Sequence, residues 1–415
     1  MIGVIGLGFV GLTTALGFSE KGFSVIGYDT DVDKSQKIKN KEIPFFEPGL
    51  KQALSKHINK NFELSSTLKY LVDNSKILIV CVGTPTNEKG ECDLNYLYSC
   101  LKDICSFHQE DKEQLILIKS TVPPSTCSKD INKFLNQNSK FYNKSLFLGN
   151  NPEFLREGFA WEDFINPDRI VVGLENEIFK SLIKSIYEPF SCEIHFVTLN
   201  MAEFIKYSSN SLLATLISFS NELSMIADKI GNINIKEVFK ILHDDKRWSG
   251  HPSNMSKYFF PGSGFGGYCL PKDIQALSTK AKTLSAPHEL IESVIKVNEK
   301  VKVYSVEKII KQTNSVKDKI AFLGLSFKPD SDDVRESPSK DIINLLIERG
   351  FKNITAYDPI ANHNFKVTYP EINIKFSSTM SGCLTKANLI VINTAWSEFS
   401  KLKNQKVPII NLRNL

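Results

Sequence analysis

The sequence contains no run of about 18 or more uninterrupted apolar residues, the length a membrane helix needs. It has no low-complexity tract. It has eight cysteines but no CxxC pair and no zinc-ligand spacing, so no metal site is expected. Acidic and basic residues are mixed along the chain, and the net charge is only +5. That is too mild for a nucleic-acid partner, although it suits a small anionic substrate. Met1 runs straight into IGVIGLGFVG, with no basic segment ahead of an apolar one, so no secretory leader is expected. The expected setting is cytoplasmic, with no membrane partner and with thiols free.

What remains is the composition of an ordinary globular protein. The chain has 415 residues, 42% hydrophobic and 23% charged, enough for two or three domains with full-sized cores. The N-terminal third opens on an apolar strand that runs into Gly6-x-Gly8-x-x-Gly11. A helical pattern, LTTALGFSEKG, and a second strand ending at Asp29 follow. Glycines at this spacing let a pyrophosphate approach the free N–H groups of a helix start. Asp29 stands where a carboxylate can accept from ribose hydroxyls and repel a 2′-phosphate, which favours NAD. Two further apolar strands, 76–83 and 114–122, end in Thr84-Pro85-Thr86 and Ser120-Thr121. Hydroxyls at strand ends mark the ligand edge of a parallel sheet, and they also simply end strands.

The middle third holds three further candidates. NNPEFLREG, residues 150–158, crowds Glu153, Arg156 and Glu157 into one loop, as a site or as a salt-bridged turn. Residues 201–230 have the apolar period of a long helix, one able to carry a domain or subunit interface. Lys206 and Asn210 share a face of it. Finally, PGSGFGGYCLPKD, residues 261–273, sets Cys269 among four glycines. Cys81 in ILIVCVG reads as a core thiol, but Cys269 has few core-forming neighbours. An ionised thiol is a strong nucleophile. From the residues alone, nucleophile and packing thiol stand side by side. Asp273 would lie one turn beyond Cys269 if a helix begins after Pro271.

The C-terminal third repeats the opening pattern without the full glycine motif. KIAFLGLSFK is a strand and turn, Ser337-Pro338 opens a helix, and ITAYDP echoes VIGYDTD. It reads as a nucleotide-binding cousin rather than a second NAD site, with a purely structural half as the alternative.

Taken in order, GLGFVG, YDTD, VGTPT, KSTVP, NPEFLREG, the Lys206/Asn210 helix, GFGGYCLPKD and FKPDSDDVRESP resemble the UDP-glucose/GDP-mannose dehydrogenase family over essentially the whole chain. The resemblance implies an α/β fold of two Rossmann-like parallel-sheet domains joined by a central helical domain with a long helix. The expected divisions are 1–197 for NAD, 198–300 for the central domain with the cysteine loop, and 301–415 for the UDP-sugar. It implies NAD-dependent, four-electron oxidation of UDP-glucose to UDP-glucuronate, with Cys269 passing through a thiohemiacetal and a thioester. GDP-mannose or a UDP-N-acetylhexosamine is the alternative substrate, and an NAD-binding scaffold is the non-enzymatic alternative. A homodimer through the central helix is expected.

The resemblance also assigns residues. Cys269, Lys206, Asn210, Asp273, Thr121 and Glu153 are expected to be catalytic. Gly6, Gly8, Gly11, Asp29, Lys34, Thr86, Thr121, Glu157, Lys272 and Arg335 are expected to hold the cofactor. Glu153, Phe154, Leu155, Arg156, Glu157, Lys206, Asn210, Arg247, Tyr258, Phe259, Phe260, Pro261, Gly262, Gly266, Lys328 and Arg413 are expected to hold the substrate. Two departures stand out. The stretch from Arg247 to Cys269 is longer than the family's usual spacing, and Asn411 stands where relatives commonly have an aspartate.

Overall fold

The computed structural model describes residues 1–244, 261–284, 288–404 and 406–413. The chain forms two compact units, Met1–Ser208 and Ser209–Leu415, and passes from one to the other within the helix Leu199–Ile230.

Among the described residues, the first unit is built on eight strands: β1 (Ile2–Ile5), β2 (Val25–Tyr28), β3 (Phe62–Leu64), β4 (Ile77–Val80), β5 (Gln114–Ile118), β6 (Leu146–Asn150), β7 (Arg169–Leu174) and β8 (Glu193–Val197). Their order is β3-β2-β1-β4-β5-β6-β7-β8. The central strands IGVI, ILIV and QLILI are buried at every position. That is what a parallel strand covered by helices on both faces requires. One face packs Leu16, Phe18 and Phe164 with Phe190; the other packs Leu97, Leu101 and Ile104. Pairing is parallel throughout except between β6 and β7, which run antiparallel. The expected parallel-sheet fold is found, with this one antiparallel pair inside it. The connection holds only the short helix Ala160–Ile165, and an antiparallel neighbour needs no full crossover.

The second unit carries β9 (Ile320–Leu323), β10 (Ile354–Tyr357), β11 (Lys375–Phe376), β12 (Leu389–Ile392) and β13 (Ile409–Asn411). Their order is β11-β10-β9-β12-β13, all parallel. The first turn of the helix Pro338–Glu348 is capped by Ser337, which accepts from the Ser339 N–H, as the Ser-Pro pair predicts. Buried Lys302, on the helix Glu289–Lys311, reaches Asp341 at 2.6 Å and Glu299 at 2.7 Å. Burial pushes this ammonium down, but the two carboxylates outweigh it and hold its pKa above the ordinary value. The contact with Asp341 ties two helices of this unit together.

Asp358 ends β10 as Asp29 ends β2, yet it is 1% exposed. Its Oδ2 accepts from Leu325 N, Ser326 N, Ser326 Oγ and Trp396 Nε1. Its Oδ1 accepts from Ile360 N and Ala361 N. Six donors meet about four lone-pair sites, which leaves none for a ribose. The carboxylate closes its own turn instead.

Asp358→Asn puts an amide NH₂ among these donors and is expected to destabilise the second unit by about 3 kcal/mol. Urea unfolding with a probe at Trp396 measures the shift in midpoint.

Candidate active site

In the first unit, β1 runs into the glycine turn and the first helix starts at Phe9. A Cβ on Gly11 would lie 1.7 Å from the Gly6 carbonyl oxygen, so this helix can approach the turn only without a side chain there. A Cβ on Gly8 would meet nothing within 4 Å, which leaves open space above the turn for a phosphate. Asp29 Oδ2 accepts from Leu7 N at 2.6 Å and Lys34 Nζ at 2.9 Å, and Oδ1 accepts from Asp31 N at 2.8 Å. Unlike Asp358, it keeps acceptor capacity for a ribose hydroxyl. Open turn, helix start and carboxylate together fit a dinucleotide. Thr84 Oγ1 donates to the Thr121 carbonyl at 2.9 Å, tying the loops after β4 and β5 together. Thr86 lies in the first of these loops, bridged to Cys92.

The loop after β6 brings Glu153 to Lys206, 2.9 Å apart, with side chains 6% and 4% exposed. Glu153 also accepts from Leu155 N at 2.6 Å. The Phe154 ring lies beneath Lys206 Nζ at 5.6 Å and Arg169 at 4.4 Å. Burial pushes the Glu153 carboxyl up, but Lys206, the Leu155 amide and Lys119 outweigh it and hold it below the usual range. Half-buried Glu157 follows in the same loop, while Arg156 forks onto Asp163 at the surface.

In the second unit, the cysteine helix runs Cys269–Thr283. It starts at Cys269 rather than after Pro271, because a proline is tolerated in the first turn, where its missing N–H has no intrahelical partner. Half-buried Cys269 therefore sits where the helix favours negative charge. Asp273 is fully buried; its Oδ1 pairs with Lys272 Nζ at 2.5 Å and its Oδ2 accepts from Asn210 Nδ2. The Tyr268 ring lies under the Arg335 guanidinium at 4.4 Å and the Lys272 ammonium at 5.5 Å. Arg335 forks onto Asp333, and its carbonyl accepts from Gly267 N at 3.0 Å. A Cβ on Gly266 would lie 2.3 Å from the Glu336 carbonyl oxygen, so glycine lets the cysteine loop lie directly on the 333–336 turn.

A polar cavity in this unit is lined by Asn221, Pro261, Gly262, Tyr304, Lys308 and Asn411, among others. Arg413 packs against Gly262 and donates to the carbonyls of Asn393 and Phe327 at 3.0 and 3.1 Å. Burial lowers its guanidinium to about 10, still a cation at neutral pH. The Lys328 ammonium lies 5.4 Å over the Phe327 ring. Arg247, Tyr258, Phe259 and Phe260 lie outside the described residues.

The structure thus groups Glu153 with Lys206, Asp29 with Lys34, Asp273 with Lys272 and Asn210, and Arg335 with the cysteine loop. It also brings in residues that the sequence reading missed. Lys119, 5% exposed, donates to Asn151 Oδ1 at 2.9 Å beside Glu153, and burial pushes its pKa down. Tyr187 OH donates to the same Asn151 oxygen at 2.5 Å. Glu203, three residues before Lys206, accepts from the amides of Ser125 and Cys127, both at 2.7 Å, and anchors the loop that follows Thr121. The available signal was a lysine closing a buried strand and a glutamate on the otherwise apolar start of a helix.

Comparison with known proteins gives matches along the whole chain. Residues 1–191 match the NAD binding domain of the UDP-glucose/GDP-mannose dehydrogenase family, residues 200–300 its central domain and residues 321–415 its UDP binding domain. A UDP-glucose 6-dehydrogenase of Rickettsia bellii is 36% identical, over 99% of this chain and 94% of its own. The UDP-glucose 6-dehydrogenase TuaD of Bacillus subtilis is 35% identical, over 100% and 89%. The solved structure of a UDP-glucose dehydrogenase from Pyrobaculum islandicum superposes with a TM-score of 0.92 at 30% identity, over 99% and 94%.

Glu153's depressed pKa means that the pair stabilises the fold above the ordinary carboxylate pKa and that this is lost as pH falls through the lowered value. In Lys206→Met burial dominates and Glu153 moves above the ordinary range. The variant is expected to lose about 3–5 kcal/mol at neutral pH and progressively less toward acid. Denaturation midpoints measured across the acid-to-neutral range check both the size and the sign.

Proposed function

Because the chain belongs to the UDP-glucose/GDP-mannose dehydrogenase family, and is thus a nucleotide-sugar dehydrogenase that uses NAD, we propose that it oxidises UDP-glucose at C6 to UDP-glucuronate through a covalent bond to Cys269. The observation that carries the mechanism is a thiol at the first residue of a helix whose next turn carries the buried Lys272 and Asp273, the latter bonded to Asn210. The names of the relatives support UDP-glucose as the sugar.

Gly6, Gly8, Gly11 and the start of the first helix would hold the pyrophosphate, and Asp29 with Lys34 the ribose end. Thr86, Thr121, Glu157, Lys272 and Arg335 would complete the cofactor's surroundings. NAD supplies the hydride acceptor, once for each of the two oxidations. After the first, C6 is an aldehyde. Cys269 Sγ adds to it: a C–S bond forms, the C=O π bond opens, and the thiol proton passes to the former carbonyl oxygen, giving a thiohemiacetal. Oxidation of that carbon gives a thioester. Water then adds, the C–S bond breaks, and the thiol and a carboxylate are released. The balance is one UDP-glucose, two NAD⁺ and one water to UDP-glucuronate, two NADH and three protons.

Lys206 and Asn210 are donors suited to the oxyanion at C6. Asp273, Thr121 and Glu153 are the groups whose chemistry would suit ordering or deprotonating the water. Phe154, Leu155, Arg156, Pro261, Gly262, Gly266, Lys328 and Arg413 would line the substrate. The chain's working divisions would be 1–197, 198–300 and 301–415, in the cytoplasm; no helix among the described residues is long and apolar enough to cross a membrane.

The helix Leu199–Ile230 leaves Met201, Phe204, Leu212 and Phe219 exposed, three of them close to one helical face. A second copy of the chain is the proposed occupant of that face. Leu212→Glu with Phe219→Glu is expected to halve the mass seen in sedimentation, and a monomeric wild type contradicts the dimer.

Wild type is expected to form two NADH per UDP-glucose, and Cys269→Ser to lose at least about 10³-fold in the complete reaction. A panel of UDP- and GDP-sugars reads both. Preference for GDP-mannose or a UDP-N-acetylhexosamine reassigns the sugar. Wild-type turnover by Cys269→Ser rejects the covalent route.

A further inference from the structure

The segment IPFFEPG, residues 43–49, supplies none of the groups given a role above. Its Glu47 is nevertheless 6% exposed. The carboxylate accepts from Gly158 N and Ala160 N, both at 2.8 Å, and from Trp161 N at 3.4 Å. These amides come directly after Glu153–Glu157, at the point where the loop becomes the helix Ala160–Ile165. Gly49 lies against Trp161, where a Cβ would come within 2.7 Å of the indole. At its other end the segment reaches the dinucleotide turn, where the Phe45 ring lies 5.5 Å from Phe9, the first residue of the first helix.

A carboxylate is costly to bury, and bonds from backbone amides help to keep it here. The amides it holds belong to the loop that carries Glu153 and Glu157. We propose that Glu47 is a positioning residue for the nucleotide sugar: by clamping Gly158 and Ala160 it fixes the C-terminal end of the Glu153–Glu157 loop. Lys206 fixes the same loop from within, through Glu153. The loop is therefore held at two points, and its side chains keep one register. This inference rests on the nucleotide-sugar dehydrogenase reading.

Glutamine cannot replace Glu47. One of its two head atoms is an NH₂, which would face an amide donor where an oxygen now accepts. The Glu47→Asp change would keep both oxygens on a shorter arm.

The test uses the full-length chain with Glu47→Gln, Glu47→Asp and Glu47→Ala. Hydrogen exchange is followed at residues 158–161, with steady-state kinetics on UDP-glucose and NAD. Glu47→Gln is expected to speed exchange at Gly158 and Ala160 while β1 and β4 keep their protection. It is expected to lower kcat/KM for the sugar about ten- to hundredfold and to raise KM for NAD by less, about three- to tenfold, because Glu157 of the same loop is assigned to the cofactor. Glu47→Asp is expected to recover part of the loss. Should Glu47→Ala fail to fold, Glu47→Gln carries the test alone. Unchanged exchange at Gly158 and Ala160 overturns the inference, as do wild-type sugar kinetics in Glu47→Gln. Equal losses for sugar, NAD and core protection overturn it too, because they describe a fold defect. Failure of the wild-type chain to oxidise any nucleotide sugar overturns the reading beneath it, which the exchange data distinguish by reporting the clamp alone.

Discussion

A carboxylate taken out of water must be matched by donors, and much of this protein's local geometry follows from that requirement. Glu153 is matched by Lys206, Asp273 by Lys272 and Asn210, Glu47 by the amides of Gly158 and Ala160, and Glu203 by those of Ser125 and Cys127. Each match fixes the backbone that carries the partner. Glu153 therefore sets where the 150–158 loop lies on the first turns of the long helix, and Glu203 sets the exit of the chain after Thr121. These groups hold their loops in place because all of them are buried away from solvent.

The two Rossmann-like sheets show the same rule giving opposite outcomes. Asp29 and Asp358 both end the second strand of their unit, after a glycine-containing turn. Asp29 receives two amides and one lysine and keeps room for a ribose. Asp358 receives six donors, including the indole of Trp396. The first turn keeps the space and the spare acceptors that a dinucleotide needs, while the second is a staple for its own loops. Gly8, with open space where its side chain would be, completes the difference.

Much of the fold was legible because its signals are local. Fully apolar four- and five-residue strands alternate with helical patterns, and that alternation implies parallel sheets covered on both faces. The glycine turn, Asp29, the Ser337-Pro338 helix start and the long helix were legible for the same reason. The reversed β7 was not, because strand direction depends on how the connection packs rather than on the strand's own residues. The exact start of the cysteine helix was not legible, since a proline can stand inside a helix's first turn as well as ahead of it.

The candidate site divides along the same line. Cys269, Lys206, Asn210 and Asp273 could be named from their types and spacings together with the family resemblance. Lys119, Asn151, Glu47 and Glu203 could not, because each acts on a partner more than 30 residues away in the chain. The alternation of elements, the dinucleotide turn and the thiol among glycines depend on neighbours along the chain, so the order of residues is enough to set them. Which carboxylates are buried, and which donors meet them, was settled only by folding, because burial and pairing are properties of distant segments brought together.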